Sequence, residues 1–127
     1  MFLLLCLATL VTVGLTHPSY QNAIPNGHHT HNPCGGQVWH GVGHLLAAGS
    51  GPLNPFGEDF SAAGHTWTAA LCHLDSDRDG RSNGAELGDP QCTWTPAHHG
   101  HMPASTGHPG ICEPIGSTAC AWQNFVC

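Results

Sequence analysis

Apolar residues recur at helical spacing over residues 58–74, and this stretch predicts the longest helix of the chain. The repeating positions are Phe60, Ala63, Trp67, Leu71 and Leu74. Their intervals of three and four residues place them on one face of a helix. Glu58 and Asp59 stand at its start, where the helix dipole favours negative charge.

A second, shorter helix is predicted over Gln37–Ala48. Trp39, Val42 and Leu46 follow helical spacing there, and Gly49, Gly51 and Pro52 end the segment. The stretches on either side of the two helices are polar and rich in turn-forming residues. The segment 17–36 contains the turn sequence IPNG, and the chain beyond Pro90 shows little periodicity, so both are expected to be mostly loop.

The first 16 residues form an uncharged apolar run that is too short to span a bilayer. Polar, proline-containing sequence follows at once, so the run predicts a secretory signal peptide over residues 1–16, with His17 first in the mature chain. No second apolar run offers a membrane anchor. We therefore expect a secreted, extracellular protein with no membrane insertion.

The composition limits both size and partners. The chain has 127 residues, which predicts one domain over residues 17–127, with a cysteine-containing tail at 115–127. Lys and Arg number 2 against 8 Asp and Glu, giving a net charge of −6. Because nucleic-acid binding needs a cationic surface, a nucleic-acid partner is not expected.

Cysteine is the main candidate for holding so small a core together. Six cysteines remain after the predicted signal peptide: Cys34, Cys72, Cys92, Cys112, Cys120 and Cys127. An even number in a secreted chain predicts disulfides, but six cysteines allow fifteen connectivities and spacing alone does not choose among them. No CxxC pair is present, which disfavours zinc ribbons and thioredoxin-like redox chemistry.

The most specific motif is DSDRDGRSNGAE at residues 75–86, which matches the twelve-residue calcium loop. Calcium prefers six to eight oxygen ligands, and Gly80 permits the sharp turn that the loop requires. The predicted ligands are Asp75, Asp77, Asp79, the backbone carbonyl of Arg81, Asn83 and Glu86.

Only one such loop occurs, and its eighth position is Ser82, where paired loops often carry a β-branched residue. A structural site is therefore favoured over a conformational switch. Arg78 and Arg81, the two basic residues, are expected to point away from the ion. The resulting fold class is a small disulfide-rich α+β protein, with short helices and long loops around one EF-hand-like calcium loop.

Histidine is unusually abundant, with 12 in the chain, and it clusters at residues 28–31 and 98–101. Such clusters can bind copper or zinc, although solvated loop histidines are the simpler interpretation. His44 and His65 lie on the two predicted helices and are interpreted as structural. A mature N-terminal His17 would also suit copper chemistry. No arrangement typical of hydrolytic or phosphate-transfer enzymes is recognisable, so catalysis is not expected.

Several uncommon strings occur in an order that resembles the temptin family of molluscan water-borne pheromone proteins. They are IPNG (24–27), WHGVGH (39–44), NPFGEDFSAAGHTWTAALC (54–72), DSDRDGRSNGAELGDPQCTW (75–94) and TGHPGICEP (106–114). The resemblance covers about residues 18–114. It implies the disulfides Cys72–Cys92 and Cys34–Cys112, which leaves Cys120 and Cys127 as a pair in the tail.

The resemblance also implies a function: a secreted pheromone-type signal that attracts conspecifics. Its expected partners are other secreted pheromone proteins or an extracellular receptor. Two alternatives stay open. One is a calcium-binding extracellular matrix protein of shell or mucus, and the other is a copper-dependent secreted oxidase.

Overall fold

The computed structural model describes residues 18–127, with side chains from Tyr20 onward. Four short α-helices lie in this part: α1 (Pro18–Asn22), α2 (Pro55–Ala62), α3 (Ala69–His73) and α4 (Asn83–Leu87), followed by a 3₁₀ helix over Thr118–Gln123. None of these helices is long and apolar enough to cross a membrane. The predicted signal peptide and His17 lie outside the described residues.

Long loops connect the helices, as the sequence predicts. Over residues 18–127, β structure amounts to two isolated antiparallel bridges, Thr30 with Trp39 and His44 with Leu53. The β structure expected from the predicted α+β class is therefore limited to two single-residue bridges, each of which joins one loop to another.

The prediction of one helix over 58–74 is wrong, because the chain breaks it into α2 and α3. Gly64 and His65 adopt left-handed backbone angles, with φ of 72° and 55°, which an α-helix cannot continue through. Thr68 then starts α3 by accepting a hydrogen bond from the Leu71 amide. The spacing identified part of the buried face, since Phe60 and Leu71 lie in the core and Ala63 and Trp67 are partly buried, whereas Leu74 is 47% exposed.

The predicted helix over 37–48 is also absent, and turns take its place. Gly41 packs so closely on Gly49 that a Cβ added to Gly41 would lie 2.0 Å from the Gly49 Cα. This contact between the two backbones folds the segment back on itself, which prevents it from forming a helix. Trp39 and Val42 are nevertheless buried, as the pattern predicted, whereas Leu46, its third member, is 53% exposed.

The core is small and is formed by side chains from all parts of the first two-thirds of the domain. Its buried apolar members are Ile24, Val42, Phe56, Phe60, Leu71 and Leu87. Helices α3 and α4 pack directly against each other. A core of this size stabilises a domain only modestly, so crosslinks are needed as well.

Three disulfides supply those crosslinks, and two of them differ from the pairing implied by the resemblance. The observed pairs are Cys34–Cys127, Cys72–Cys92 and Cys112–Cys120. The expected Cys72–Cys92 bridge is present. The expected Cys34–Cys112 and Cys120–Cys127 bridges are wrong.

The C-terminal 3₁₀ helix explains the exchange of partners. Gln123 accepts a hydrogen bond from the Cys112 amide at 2.8 Å and donates one to the Cys112 carbonyl at 2.9 Å. This pair of bonds holds the 3₁₀ helix against residue 112, with Cys120 beside Cys112. Cys127 is then left to reach Cys34, and the tail is fastened to the start of the domain.

Candidate metal centre

The 75–86 loop is held between α3 and α4. It begins two residues after α3 ends, and Ser82 starts α4 by accepting a hydrogen bond from the Ala85 amide at 3.1 Å. Gly80 takes the left-handed conformation, with φ of 91°, that the sequence predicted for the sharp turn. The loop is therefore a tight hairpin-like connection between two packed helices.

Four carboxylates of this loop converge on one point. One oxygen from each lies within 4.8 Å of the others, and the residues are Asp75, Asp77, Asp79 and Glu86. Within residues 18–127, no other set of three or more His, Cys, Asp or Glu residues comes together in this way. The arrangement is rich in hard oxygen donors, the ligands that calcium prefers.

Backbone amides of the loop bind the two less buried carboxylates, those of Asp75 and Asp79. The Gly80 amide donates to Asp75 Oδ2 at 2.9 Å, and the Asp79 amide donates to Asp75 Oδ1 at 3.2 Å. The Arg81 amide donates to Asp79 Oδ1 at 3.0 Å. These bonds fold the chain around the carboxylates and fix their positions.

Asp77 and Glu86 are both fully buried, with 0% exposure. Asp77 Oδ2 and both carboxylate oxygens of Glu86 have no hydrogen-bond partner. Burial, with the charges of Glu86 and Asp79 adding to it, raises the pKa of Asp77 far above its ordinary range. Burial, together with the Asp79 charge, likewise raises the pKa of Glu86.

The two arginines turn their side chains to other parts of the protein. Arg81 donates to Thr106 Oγ1 at 2.8 Å, and its charge partly offsets the rise in the Glu86 pKa. The Arg78 guanidinium lies 4.8 Å from the centre of the Trp122 ring, a cation–π contact with the C-terminal 3₁₀ helix. The loop is thereby fastened to two later segments.

Asn83 forms hydrogen bonds that hold the loop in place. Its Nδ2 donates to the Leu71 carbonyl and to Ser76 Oγ, both at 2.8 Å, and its Oδ1 accepts from the Ser76 amide at 3.3 Å. Ser76 Oγ in turn donates to Asp59 Oδ2 at 2.7 Å, which ties the loop to α2. The sequence motif gave no indication of this role for Ser76, because that position of the loop is variable in its pattern.

The histidine clusters do not assemble a comparable centre among the described residues. His31 Nε2 lies 3.4 Å from Glu113 Oε2, while His98, His99 and His101 are exposed. Neither cluster brings three ligand atoms together.

His44 and His65 are not on helices, in contrast to the prediction. His44 forms a β-bridge with Leu53, and His65 sits in the left-handed turn between α2 and α3. Both line a cleft that is separate from the acidic loop.

The sequence that contains the acidic loop matches a known family. The Temptin C-terminal family model matches residues 14–111 of the chain. The chain therefore belongs to the temptin family.

Among characterised relatives it is similar to temptin of Aplysia californica. The two are 52% identical over 113 residues, which is 86% of this chain and 88% of the relative. No solved structure matches the chain.

Proposed function

We propose that the protein is a secreted, water-borne pheromone-type signal whose scaffold is stabilised by one calcium ion. The family membership and the 52% identity to Aplysia temptin support the signalling role. The two fully buried carboxylates with unpaired oxygens in the acidic loop carry the calcium assignment.

Asp75, Asp77, Asp79 and Glu86 would hold the ion, with the Arg81 carbonyl supplying a further oxygen. Asn83 is the predicted ligand that the geometry supports least, because both ends of its amide already bond to Leu71 and Ser76. A ligand set dominated by carboxylates suits calcium better than the softer transition metals.

Electrostatics gives the physical reason for a cation here. Unpaired buried carboxylates are costly, and charges of the same sign at this spacing repel one another. A divalent cation satisfies the orphaned oxygens of Asp77 and Glu86 and removes the repulsion. The ion would then add its binding free energy to the stability of the fold.

The acidic loop lies where a bound ion would brace the molecule. The Cys72–Cys92 disulfide encloses the loop, and α3 and α4 pack together behind it. Arg78 and Arg81 connect the same loop to Trp122 and Thr106. A cation at this position links segments from three parts of the chain, which fits a structural role in a protein exposed to open water.

Calorimetric titration of the oxidised, chelator-treated protein with calcium tests the site. Saturable binding is expected at or below ~10⁻⁴–10⁻³ M, the range of weak extracellular modules. Glu86→Gln and Asp75→Ala are expected to weaken it by at least roughly 10–100-fold, the loss typical of removing even an outer-shell partner. Glu58→Gln, an exposed carboxylate on α2 outside the loop, is the matched control and is expected to bind normally. Absence of binding at millimolar calcium would show the assignment to be wrong.

Signalling requires a surface that a partner protein recognises. We propose the two exposed histidine clusters as this surface. Residues 28–31 and 98–101 depart from the calcium and disulfide frame and lie on loops. The partner would be another secreted pheromone protein or an extracellular receptor, with recognition through imidazole hydrogen bonds.

A conspecific attraction assay on the folded protein tests this function, with and without companion secretions. Attraction is expected from the wild type and not from a variant with alanine at His28, His29, His31, His98, His99 and His101. Circular dichroism and intact mass confirm that the variant is folded and oxidised. If the wild type attracts nothing, the extracellular matrix alternative is favoured; if the variant attracts equally well, only the histidine assignment fails.

A further inference from the structure

A cleft of about 550 Å³ lies between α1, the turns of residues 40–49 and α2. It shares no lining residue with the acidic loop, and of the histidines proposed for partner recognition only His28 lines it. Its volume falls within the ~300–1,000 Å³ typical of small-molecule sites. We refer to it below as the histidine cleft, because His28, His40, His44 and His65 all line it.

The floor and mouth of the histidine cleft are apolar. Ile24, Val42 and Phe60 are core residues that also face the cleft, with 3–5% exposure. Leu53 lines it as well and leaves 42% of its surface exposed to water. Covering this surface with a hydrocarbon ligand would be favourable, at roughly 25 cal/mol per Å².

The described residues that line the histidine cleft include no Asp, Glu, Lys or Arg. A charged ligand would lose its hydration there without gaining a countercharge, which is costly. The net charge of −6 on the chain disfavours anions further. The cleft therefore suits a neutral molecule.

Two of the lining histidines are set as hydrogen-bond acceptors. His44 Nδ1 lies 3.2 Å from the Gly51 carbonyl, which only accepts, so Nδ1 carries the hydrogen and Nε2 is left as an acceptor. His28 Nε2 lies 2.7 Å from Asn22 Oδ1, and in the tautomer that donates to this oxygen its Nδ1 is an acceptor. A ligand with a hydroxyl group would complement these nitrogens.

An ordered aromatic wall flanks the histidine cleft. The His65 ring stacks on Tyr20 at 4.3 Å with an interplanar angle of 1°, and it meets Phe60 edge-on at 5.4 Å. The left-handed backbone of His65 directs the chain into this arrangement. A flat, preformed wall favours unsaturated or cyclic hydrocarbon over a flexible saturated chain.

We propose that the histidine cleft binds a neutral, mainly hydrocarbon small molecule that carries a hydroxyl group, of the terpenoid-alcohol class. The apolar floor holds the hydrocarbon, and the imidazole acceptors select the hydroxyl. This gives the protein a further activity, as a carrier of a poorly water-soluble compound, and it does not depend on the calcium site.

Displacement of the fluorescent probe N-phenyl-1-naphthylamine from the secreted, oxidised protein tests the proposal. Farnesol, farnesene and farnesoic acid serve as competitors, because they share a hydrocarbon skeleton and differ at the head group. Farnesol is expected to displace the probe best, with farnesene roughly 3–10-fold weaker because it lacks one hydrogen bond. Ionised farnesoic acid is expected to be weakest at pH 8. If the three bind equally, or if the acid binds best, the proposal is wrong.

Two neighbouring substitutions locate the binding. Ser61 and Ala62 are both exposed on α2, but only Ser61 lines the histidine cleft. Ser61→Trp is expected to reduce probe binding at least tenfold, while Ala62→Trp is expected to leave it unchanged. Equal behaviour of the two variants would overturn the assignment. It would also be overturned if sedimentation showed that Ser61→Trp dissociates a dimer, because the cleft would then be an interface between two copies.

A third substitution tests the selection of the hydroxyl group. His44→Phe keeps an apolar ring but removes one of the two acceptors, so the preference for farnesol over farnesene should decrease while farnesene still binds. His28→Phe provides a second test if His44→Phe does not fold. Retention of the full preference in both variants would contradict the role of the histidines.

Discussion

Three buried polar residues lack hydrogen-bond partners for some of their side-chain atoms. Asp77, Glu86 and His108 are all fully buried, and each has at least one side-chain atom without a hydrogen-bond partner. Such groups are rare in folded proteins and each requires a physical explanation. For the two carboxylates the explanation is the proposed cation, whereas His108 remains buried as a neutral ring.

Asp77→Asn is expected to have opposite effects with and without calcium. In a chelator, the variant should be more stable than the wild type by about 1–3 kcal/mol, because it removes a buried, unpaired carboxylate. In millimolar calcium, it should lose the thermal stabilisation that the ion gives the wild type. Thermal unfolding followed by circular dichroism measures both. Glu58→Gln should follow the wild type in each condition, and a destabilised Asp77→Asn in chelator would contradict the electrostatic argument.

His108 makes the stability of the fold sensitive to acid. Its Nδ1 accepts a hydrogen bond from the Gly110 amide at 3.0 Å, and its ring contacts Trp39 edge-on at 4.9 Å. Burial, together with the charge of nearby His31, lowers the pKa of His108 to about 3. The unfolded chain takes up this proton near the ordinary value of 6.5, so the unfolded state binds more protons between these two values. Stability is therefore lost as the pH falls through this window.

His108→Asn measures that contribution, because its side-chain oxygen can still accept from Gly110 but does not titrate. The stability advantage of the wild type over the variant should shrink by up to ~1.4 kcal/mol per pH unit below pH 6.5. Urea unfolding at several pH values gives the difference in free energy of unfolding between the two proteins. The titration of their shared carboxylates contributes equally to both and drops out of this difference. An advantage that is constant from pH 7 to pH 4 would contradict burial of a neutral ring.

At the scale of elements, the helices are too short to be stable alone, and their ends are fixed by contacts from elsewhere. Asn54 is the clearest case. It is fully buried, its Oδ1 accepts from the Gly57 amide at the start of α2, and its Nδ2 donates to the carbonyls of Val42 and His44. One side chain therefore starts a helix and holds the 40–49 turns against it.

Asn54→Ala is expected to destabilise the protein by about 2–4 kcal/mol, since it removes the helix cap, leaves the Val42 carbonyl without its donor and leaves the His44 carbonyl with only the weaker bond from Trp39 Nε1. Thr68→Ala is the matched comparison, because Thr68 caps α3 through a single bond to Leu71. It should cost only ~1 kcal/mol. Urea unfolding with the disulfides intact compares the two. Equal effects would show that the bonds from Asn54 to the turns contribute nothing.

For the whole molecule, the disulfides set the connectivity that the small core cannot enforce. Cys34–Cys127 joins residues 93 apart and so encloses most of the domain, whereas Cys112–Cys120 joins residues only 8 apart. The chain-entropy argument gives ~4.7 kcal/mol for the long loop and ~2.5 kcal/mol for the short one, each taken alone.

Replacing both cysteines of a pair by serine should therefore cost more stability for Cys34 and Cys127 than for Cys112 and Cys120. Thermal unfolding of the two double variants measures the difference. Peptide mapping under non-reducing conditions should find the Cys34 peptide joined to the C-terminal peptide in the wild type. Recovery of a Cys34–Cys112 peptide would show that the connectivity described here is wrong.

The sequence alone determined the features that depend on local pattern. The family, the position of the acidic loop and the turn at Gly80 were readable, because each depends on residue types at fixed spacing. The Cys72–Cys92 bridge was implied by the family resemblance and not by spacing. Helical periodicity also identified Phe60 and Leu71 as buried. It did not identify the helices themselves, since a spacing of three to four residues fits any curved segment with one side against the core.

Only the tertiary structure decided what depends on contacts between distant segments. The break at Gly64 and His65, the collapse of residues 37–48 around Gly41, and the exchange of disulfide partners each follow from packing that no local pattern encodes. The histidine cleft has the same origin, because its walls come from three separate parts of the chain. The contact of the 3₁₀ helix with Cys112 places Cys120 beside Cys112, which rules out the Cys34–Cys112 and Cys120–Cys127 pairs.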